Sequence, residues 1–395
     1  MSRIDNLVAE LCPEGVEFKP LGDLLNYEQP GKYLVASKDY DASFETPVLT
    51  AGQTFILGYT SETDGIYAAT PTAPVVIFDD FTTAFKWVDF DFKAKSSAMK
   101  MLTPKPGVNM RYVWFAMQAI KYKPQDHSRQ WISTYSKIRV PVPPPLIQQE
   151  IVEILDTMEV LQTELKSLLE SELELRSHQY AHYRDALIGD SVPESEWKPL
   201  SRVGPLVRGR RFTKAHYVED GIPAIHYGHI YTDFGPSTTT VRAHVRKEME
   251  GALRYANHGD VIIAGVSETV EDVGKAVAWL GDGSVAYHDD SFRLTHEMDA
   301  RFVSYALQTA FFHEQKERHV SRGKMKRLSA EGLGQIRIPV PHRDEQKRVA
   351  EILDSFDALV KDLSSNLPTE VEARRQQYEH YRDRLLTFKE KDVVA

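Results

Sequence analysis

Two stretches of this chain gather cations on glycine-containing segments. They are Arg208-Gly209-Arg210-Arg211 with Lys214, and Arg322-Gly323-Lys324-Met325-Lys326-Arg327. Clusters of this kind suit phosphate neutralisation, and the planar fork of arginine matches two acceptors on a guanine edge. The plain alternative is a pair of solvated loops, and spacing alone does not choose between them. The first half of the chain offers a different set. Lys86, Lys93, Arg129 and Gln130 lead there, with Gln53, Tyr59 and Thr60 as further groups able to read base edges. The aromatic residues among them, Phe78, Phe81, Phe85 and Trp87, belong to a type that more often fills a core.

Groups that make or break bonds are harder to find. The chain has no P-loop and no G-x-G-x-x-G phosphate cradle. Gly281-Asp282-Gly283-Ser284 reads as a tight turn. His288 with Asp289 and Asp290, and His226 with His229, imitate metal sites. Isolated histidines beside acids are more often packing residues than ligands. No Ser/His/Asp set has the local context of a nucleophile, and the Asn/Asp-Pro-Pro-aromatic tetrad of adenine methyltransferases is missing. Cys12 is the only cysteine, which excludes an internal disulfide and reads as a small buried thiol. The expectation is a chain without catalytic residues, metal or cofactor of its own. It chooses where something happens and leaves the reaction to others.

The elements that position these residues are duplicated. Ile138-Arg139-Val140-Pro141-Val142-Pro143 returns as Ile336-Arg337-Ile338-Pro339-Val340-Pro341, an offset of 198 residues. At the same offset Gln148-x4-Glu153-Ile154-Leu155-Asp156 becomes Gln346-x4-Glu351-Ile352-Leu353-Asp354. Proline blocks helix upstream and suits the first helical turn, so each repeat predicts a long helix after its proline-rich approach. Apolar residues then recur at three- and four-residue steps. Ile154, Leu155, Leu161 and Leu165 in the first helix, with Ile352, Leu353, Leu359 and Leu363 in the second, are the expected seam between the two. About 43 residues of helix span roughly 65 Å and need a partner for that seam, so an antiparallel pair is expected. Pro368 in the second helix predicts a break or kink. Both repeats close on Tyr-x-x-Tyr-Arg-Asp. Tyr180, Tyr183 and Arg184, and Tyr378, Tyr381 and Arg382, present either a dock for two identical partners or a cap on the seam.

The segments before the helices read as compact mixed domains. They open alike, on Phe18-Lys19-Pro20-Leu21 and Trp197-Lys198-Pro199-Leu200, and differ in the middle. Residues 73–78, 260–264 and 276–280 predict buried strands, and 111–122 and 301–313 short helices. The predicted fold is α+β. Two mixed α/β domains are separated by two long repeated helices packed as an antiparallel coiled coil, with pseudo-two-fold character. The boundaries are 1–143, 144–190, 191–341 and 342–395, with linkers at 189–196 and in the tail 389–395.

With 395 residues, 42% hydrophobic and 27% charged, the composition is that of an ordinary globular chain of two or three domains. No apolar run approaches the length needed to cross a bilayer, and the N-terminus lacks a signal peptide's apolar core, so a cytoplasmic location is expected. The net charge of −9 argues weakly against nucleic acid, but its distribution is uneven. Residues 146–190 carry 10 acidic and 3 basic groups, whereas 197–340 carry 17 acidic and 20 basic.

Together these features resemble the specificity subunit of a type I restriction–modification system, over the whole chain. The resemblance rests on the two Ile-Arg-Val/Ile-Pro-Val-Pro segments, the Gln-x4-Glu-Ile-Leu-Asp helix starts and the Gln-Tyr-x-His-Tyr-Arg-Asp helix ends at 179–185 and 377–383. Leu11-Cys12-Pro13-Glu14-Gly15-Val16-Glu17-Phe18 and the Gly323-x4-Leu328-Ser329 run resemble the family as well. The first-half counterpart, Arg129-Gln130-Trp131-Ile132-Ser133, lacks that glycine. The resemblance implies two target-recognition domains, each reading one half of a bipartite, asymmetric site on double-stranded DNA. The helices would set the gap between the halves. They would also dock two methylation subunits, which bind S-adenosylmethionine and methylate adenine N6. Restriction subunits with ATP and Mg would complete the complex, and this chain would be its non-catalytic part. The competing expectations are a protein-binding scaffold built on coiled-coil helices and an enzyme whose site carries no familiar motif.

Overall fold

The two sequence echoes that open and close each globular segment turn out to be partners. In the computed structural model, which describes residues 3–52 and 54–392, Glu17–Pro20 pairs antiparallel with Arg139–Val142. Lys198–Pro199 pairs in the same way with Arg337–Ile338. The repeated arginine ties each ribbon: Arg139 donates to the Phe18 carbonyl at 2.9 Å, and Arg337 to the Trp197 carbonyl at 2.7 Å. Proline is tolerated here because a two-stranded ribbon has an outer edge on which no ladder N–H is required.

The chain divides into two compact units, Met1–Ser167 with Thr369–Ala395, and Leu168–Pro368. In unit 1 the main sheet runs Leu25–Glu28, Met99–Pro104, Val75–Asp79, Phe85–Val88, antiparallel throughout. In unit 2 it runs Leu206–Arg208, Ser291–Leu294, Val261–Ala264, Ala276–Trp279, and adds Ser237–Thr238 as a parallel edge. The central strands, Val75–Phe78 and Val261–Ala264, are buried along their length, which is why they read as unbroken apolar runs. A helix packs beside each sheet, and each starts on a side-chain cap. Asn109 accepts from the Tyr112 amide before Met110–Gln118, and Asp299 accepts from Arg301 and Phe302 before Ala300–Ala306. The helix expected over 301–313 is two helices, Ala300–Ala306 and Ala310–Glu317. Buried Thr309 returns its hydroxyl to the Ala306 carbonyl at 2.7 Å, satisfying the end of the first.

The long helices are Pro145–Gly189 and Arg343–Leu385. Their shared Gln has a structural explanation: buried Gln148 donates to the Pro143 carbonyl at 2.8 Å, and Gln346 to that of Pro341 at 2.7 Å. Their shared Asp does too. Asp156 accepts from Arg111 at 2.6 Å, and Asp354 from Arg301 at 2.7 Å and from the Tyr305 hydroxyl at 2.7 Å. In each unit the helix segments run antiparallel. Within unit 1, Gln162 donates to the Arg374 carbonyl while Ile147, Ile151 and Leu155 share a cluster with Tyr378 and Leu386. Within unit 2, Tyr183 stacks on Phe356, and Ile188 shares a core with Val349 and Leu353.

Three expectations need correcting. Of the eight seam residues only Leu155 and Leu353 are buried; Leu165 and Ile352 are half-buried, and Ile154, Leu161, Leu359 and Leu363 are 40%, 57%, 63% and 41% exposed. Neighbours such as Ile154 and Leu155 lie about 100° apart around a helix, so one partner cannot cover both. Second, the break at Pro368 does not occur, since the helix continues through that residue. One lost backbone bond is tolerable within so long an element, and Ser364 and Ser365 bond back to the Lys361 and Asp362 carbonyls in the turn before it. Third, Lys389–Lys391 of the tail is held against Val16 by two backbone hydrogen bonds of 2.8 and 2.9 Å, and Glu390 pairs with Arg139 at 2.6 Å. The expected loose tail therefore starts no earlier than 392, and residues 393–395 lie outside the described part.

Candidate nucleic-acid interface

In unit 2 the fold brings one cation from each basic stretch, Arg208 and Arg327, to the wall of one cleft of about 600 Å³. Arg208 ends its strand, and Gly209 follows where a side chain would collide with the His288 carbonyl. Arg210, Arg211 and Lys214 beyond it are exposed, while Phe212 between them is fully buried and anchors the loop. The second loop is closed by Ser321, which donates its amide to the Arg327 carbonyl and accepts the Arg327 amide on its hydroxyl, at 3.0 and 2.9 Å. Arg322, Lys324 and Arg327 are exposed, and Lys326 is half-buried, paired to Ser267 in a short ribbon.

Beneath the first loop lies a packed histidine cluster. His226 and His288 have ring centroids 4.4 Å apart. Burial first, then the neighbouring His288 and His229, push His226 down to about 4. His288 is also lowered, chiefly by burial. Its Nε2 faces the Phe212 carbonyl at 3.0 Å and must carry the proton, leaving Nδ1 to accept the Asp290 amide at 3.1 Å. His288, Asp289 and Asp290 bring ligand atoms within 4.8 Å of one another. However, Nδ1 is already engaged and the carboxylates face Arg208 and Arg327, so this donor set does not fit a resident metal.

Unit 1 places its candidates differently. Arg129 is exposed, and Lys86 and Tyr59 are half-buried on their strands. Gln53 lies outside the described residues. Lys93 is 4% exposed, paired with Glu62 at 2.6 Å and donating to the Asp64 carbonyl at 2.6 Å. That lysine in turn holds the Glu62 carboxyl below its usual range. Gln130 is buried, accepting from the Tyr122 hydroxyl at 2.7 Å and donating to Asp126 at 3.1 Å. Buried Thr60 accepts the Glu62 amide at 3.3 Å. Lys93, Gln130 and Thr60 are thus internal ties, because each polar atom is satisfied inside the fold. Sequence reasoning missed the buried pair Lys100–Asp80, 2.9 Å apart. Its signal was a lone lysine inside the apolar run Met99-Lys100-Met101-Leu102. Asp80 also receives the Trp131 amide at 2.8 Å, fixing the segment that carries Arg129.

The two units share this frame atom for atom in places. Gln130 donates its amide to Asp80, whose own amide donates to Ala98; Leu328 donates to Gly265, whose amide donates to Asp290. Asp80 therefore matches Gly265, Ala98 matches Asp290, and Arg129 matches Arg327. The frame is common and the polar content differs.

The closing motif of each helix splits into two roles. Tyr378 is 7% exposed, with its hydroxyl donating to Glu159 at 3.0 Å. Tyr180 is half-buried against the unit 2 core, and burial raises its pKa. Tyr183 and Tyr381 remain 42% and 41% exposed. Arg184 and Arg382 are each held by the following aspartate, at 2.8 and 2.7 Å. The first tyrosine packs into the fold, whereas the second keeps part of its ring exposed, Tyr183 while stacked on Phe356.

A twice-used α/β frame, bounded by halves of two repeated helices and displaying cations on loops, defines a class of duplicated recognition protein. The type I restriction modification DNA specificity domain matches this chain twice, at residues 13–175 and 194–373, and the chain belongs to that family. It is 38% identical, over the full length of both chains, to the type I restriction enzyme EcoR124I/EcoR124II specificity subunit of Escherichia coli. Among solved structures, a chain from work on complex assembly and conformational transition of the type I R-M system matches with a TM-score of 0.64 at 16% identity, covering 95% of this chain and 98% of that one. The HsdS subunit from Thermoanaerobacter tengcongensis matches with a TM-score of 0.52 at 14% identity, covering 95% and 97%. Both show the same fold.

Proposed function

We propose that this chain divides DNA recognition between its two globular segments, residues 1–143 and 191–341. Each reads one half of a bipartite, asymmetric site on double-stranded DNA. The helical segments, 144–190 and 342–395, set the unread gap and dock two methylation subunits that methylate adenine N6. S-adenosylmethionine belongs to those subunits, and ATP with Mg to the restriction subunits. This chain, working in the cytoplasm, supplies address and geometry.

The observation that supports this most is the shared frame with unlike polar content: Lys100–Asp80 in one unit, Phe292–Gly265 with Asp290 and Arg327 in the other. One scaffold tuned to two chemistries suits an asymmetric site. Selection of random duplex DNA by the chain co-expressed with its methylation subunits tests the reading. Two short conserved blocks separated by a fixed, unselected gap are expected. Recovery of a single uninterrupted block, or of no preferred sequence, contradicts it.

A further inference from the structure

One carboxylate stands between the two basic loops. Arg208 Nη2 and Arg327 Nη1 lie 3.8 and 3.5 Å from the same oxygen, Oδ1 of Asp290. These arginines come from segments 119 residues apart. Arg208 is fixed a second time, by its Nε donating to the Asp289 carbonyl at 2.6 Å. Even so, the two arginine side chains remain 56% and 57% exposed, whereas that of Asp290 is 22% exposed. The acid is set back and the forks stand forward.

The arrangement belongs to unit 2 alone of the two matched frames. Where Asp290 receives the Gly265 amide, Ala98 receives that of Asp80, so unit 1 has an alanine at the backbone place that Asp290 takes in unit 2. Asp290 is therefore not demanded by the backbone frame.

An acid at this place is costly if the arginines serve only to neutralise phosphate, because it repels the same polyanion. It makes sense if geometry matters more than charge. A free arginine loses rotamer freedom when it binds, and a carboxylate behind it sets the fork beforehand. Nε of Arg208 is hydrogen-bonded, while Nη2 lies only at ion-pair range, 3.8 Å from both Asp289 Oδ2 and Asp290 Oδ1, so the Nη groups keep N–H donors for a pair of acceptors. Guanine O6 and N7 are such a pair on the major-groove edge.

We propose that Asp290 is a positioning residue for sequence reading: it holds Arg208 and Arg327 as a preset pair that reads a guanine edge in the half-site met by unit 2. This rests on the reading of that unit as a DNA-recognition domain. The test compares wild type and Asp290→Asn, each assembled with its methylation subunits. One probe is the duplex that the wild-type complex selects from random DNA; the other is a scrambled duplex of equal length, at matched salt. Asp290→Asn is expected to weaken binding of the selected duplex about tenfold or more. Its binding of the scrambled duplex is expected to hold or tighten, since a negative charge has gone. Tighter binding of both duplexes would make Asp290 a mere repulsive charge, and equal weakening of both would make it a general structural support; either overturns the proposal. Arg327→Lys keeps the charge without the fork and is expected to reproduce the split, with little further loss in the double variant. Additive losses count against the coupling. If the wild type selects no duplex, the recognition reading itself falls, and the role of Asp290 with it.

Discussion

At the scale of single residues, exposure separates the candidates that sequence had placed together. Arg210 and Arg211 project from a loop whose buried Phe212 and Gly209 leave little freedom beneath them. Reversing both, Arg210→Glu with Arg211→Glu, is expected to weaken duplex binding and to reduce its salt dependence. The slope of log affinity against log salt should fall by about one for each phosphate no longer neutralised. Titrations at several salt concentrations read both quantities, and unchanged affinity and slope would remove the pair from the interface. The exposure of these arginines was legible in sequence because cations clustered on a glycine-containing loop seldom serve packing. The burial of Lys93 and Gln130 was not legible. The partners of Lys93, Glu62 and Asp64, approach from some thirty residues away, and those of Gln130, Tyr122 and Asp126, lie in a nearby irregular loop, so neither burial has a sequence period behind it. Asp290 was visible only as one of several acids beside a histidine, since its meaning depends on two loops converging.

At the scale of elements, the repeat predicted the helices, their proline-rich approaches and their antiparallel packing inside each unit. It also marked the residues that turned out to be ribbon arginines, Gln caps and Asp anchors, although spacing did not reveal those roles. The seam was only partly legible. Apolar periodicity gives the sum of all buried faces, including faces covered by another chain, and does not say which partner covers which. Leu155 and Leu353 are buried here, whereas Leu161 and Leu359 are open. Replacing Leu155 or Leu353 with Ala is therefore expected to destabilise the isolated chain by about 2–5 kcal/mol. Replacing Leu161 and Leu359 with Ser should leave thermal stability nearly unchanged and weaken assembly with the methylation subunits. Calorimetry of the chain and gel filtration of the mixture separate the two effects. A large stability loss from the exposed pair would show that the chain itself covers them.

At the scale of the whole molecule, the two units differ in their response to acid. His226 and His313 are lowered to about 4, and His229, His288 and His296 are also lowered, in every case mainly by burial; all five lie in unit 2. Folded unit 2 holds them neutral, whereas the unfolded chain takes up protons near the ordinary value of 6.5. The unfolded state thus binds more protons below that value. The stability is present in full above pH 6.5 and is lost as pH falls from there towards 4. Hydrogen exchange, corrected for intrinsic rates, is expected to show Val285–Tyr287 and Ile222–Ile225 loosening between pH 7 and pH 5 ahead of Val75–Asp79 in unit 1. Earlier loosening of unit 1 would contradict this assignment. Recognition shared between two differently furnished copies of one frame is read out most directly by sequencing the methylome of a host carrying this chain with its partner subunits. A two-part, non-palindromic sequence with a constant gap and methylated adenine in both parts is the expected result. Methylation at a single unbroken or palindromic sequence would contradict the division of recognition between the two units.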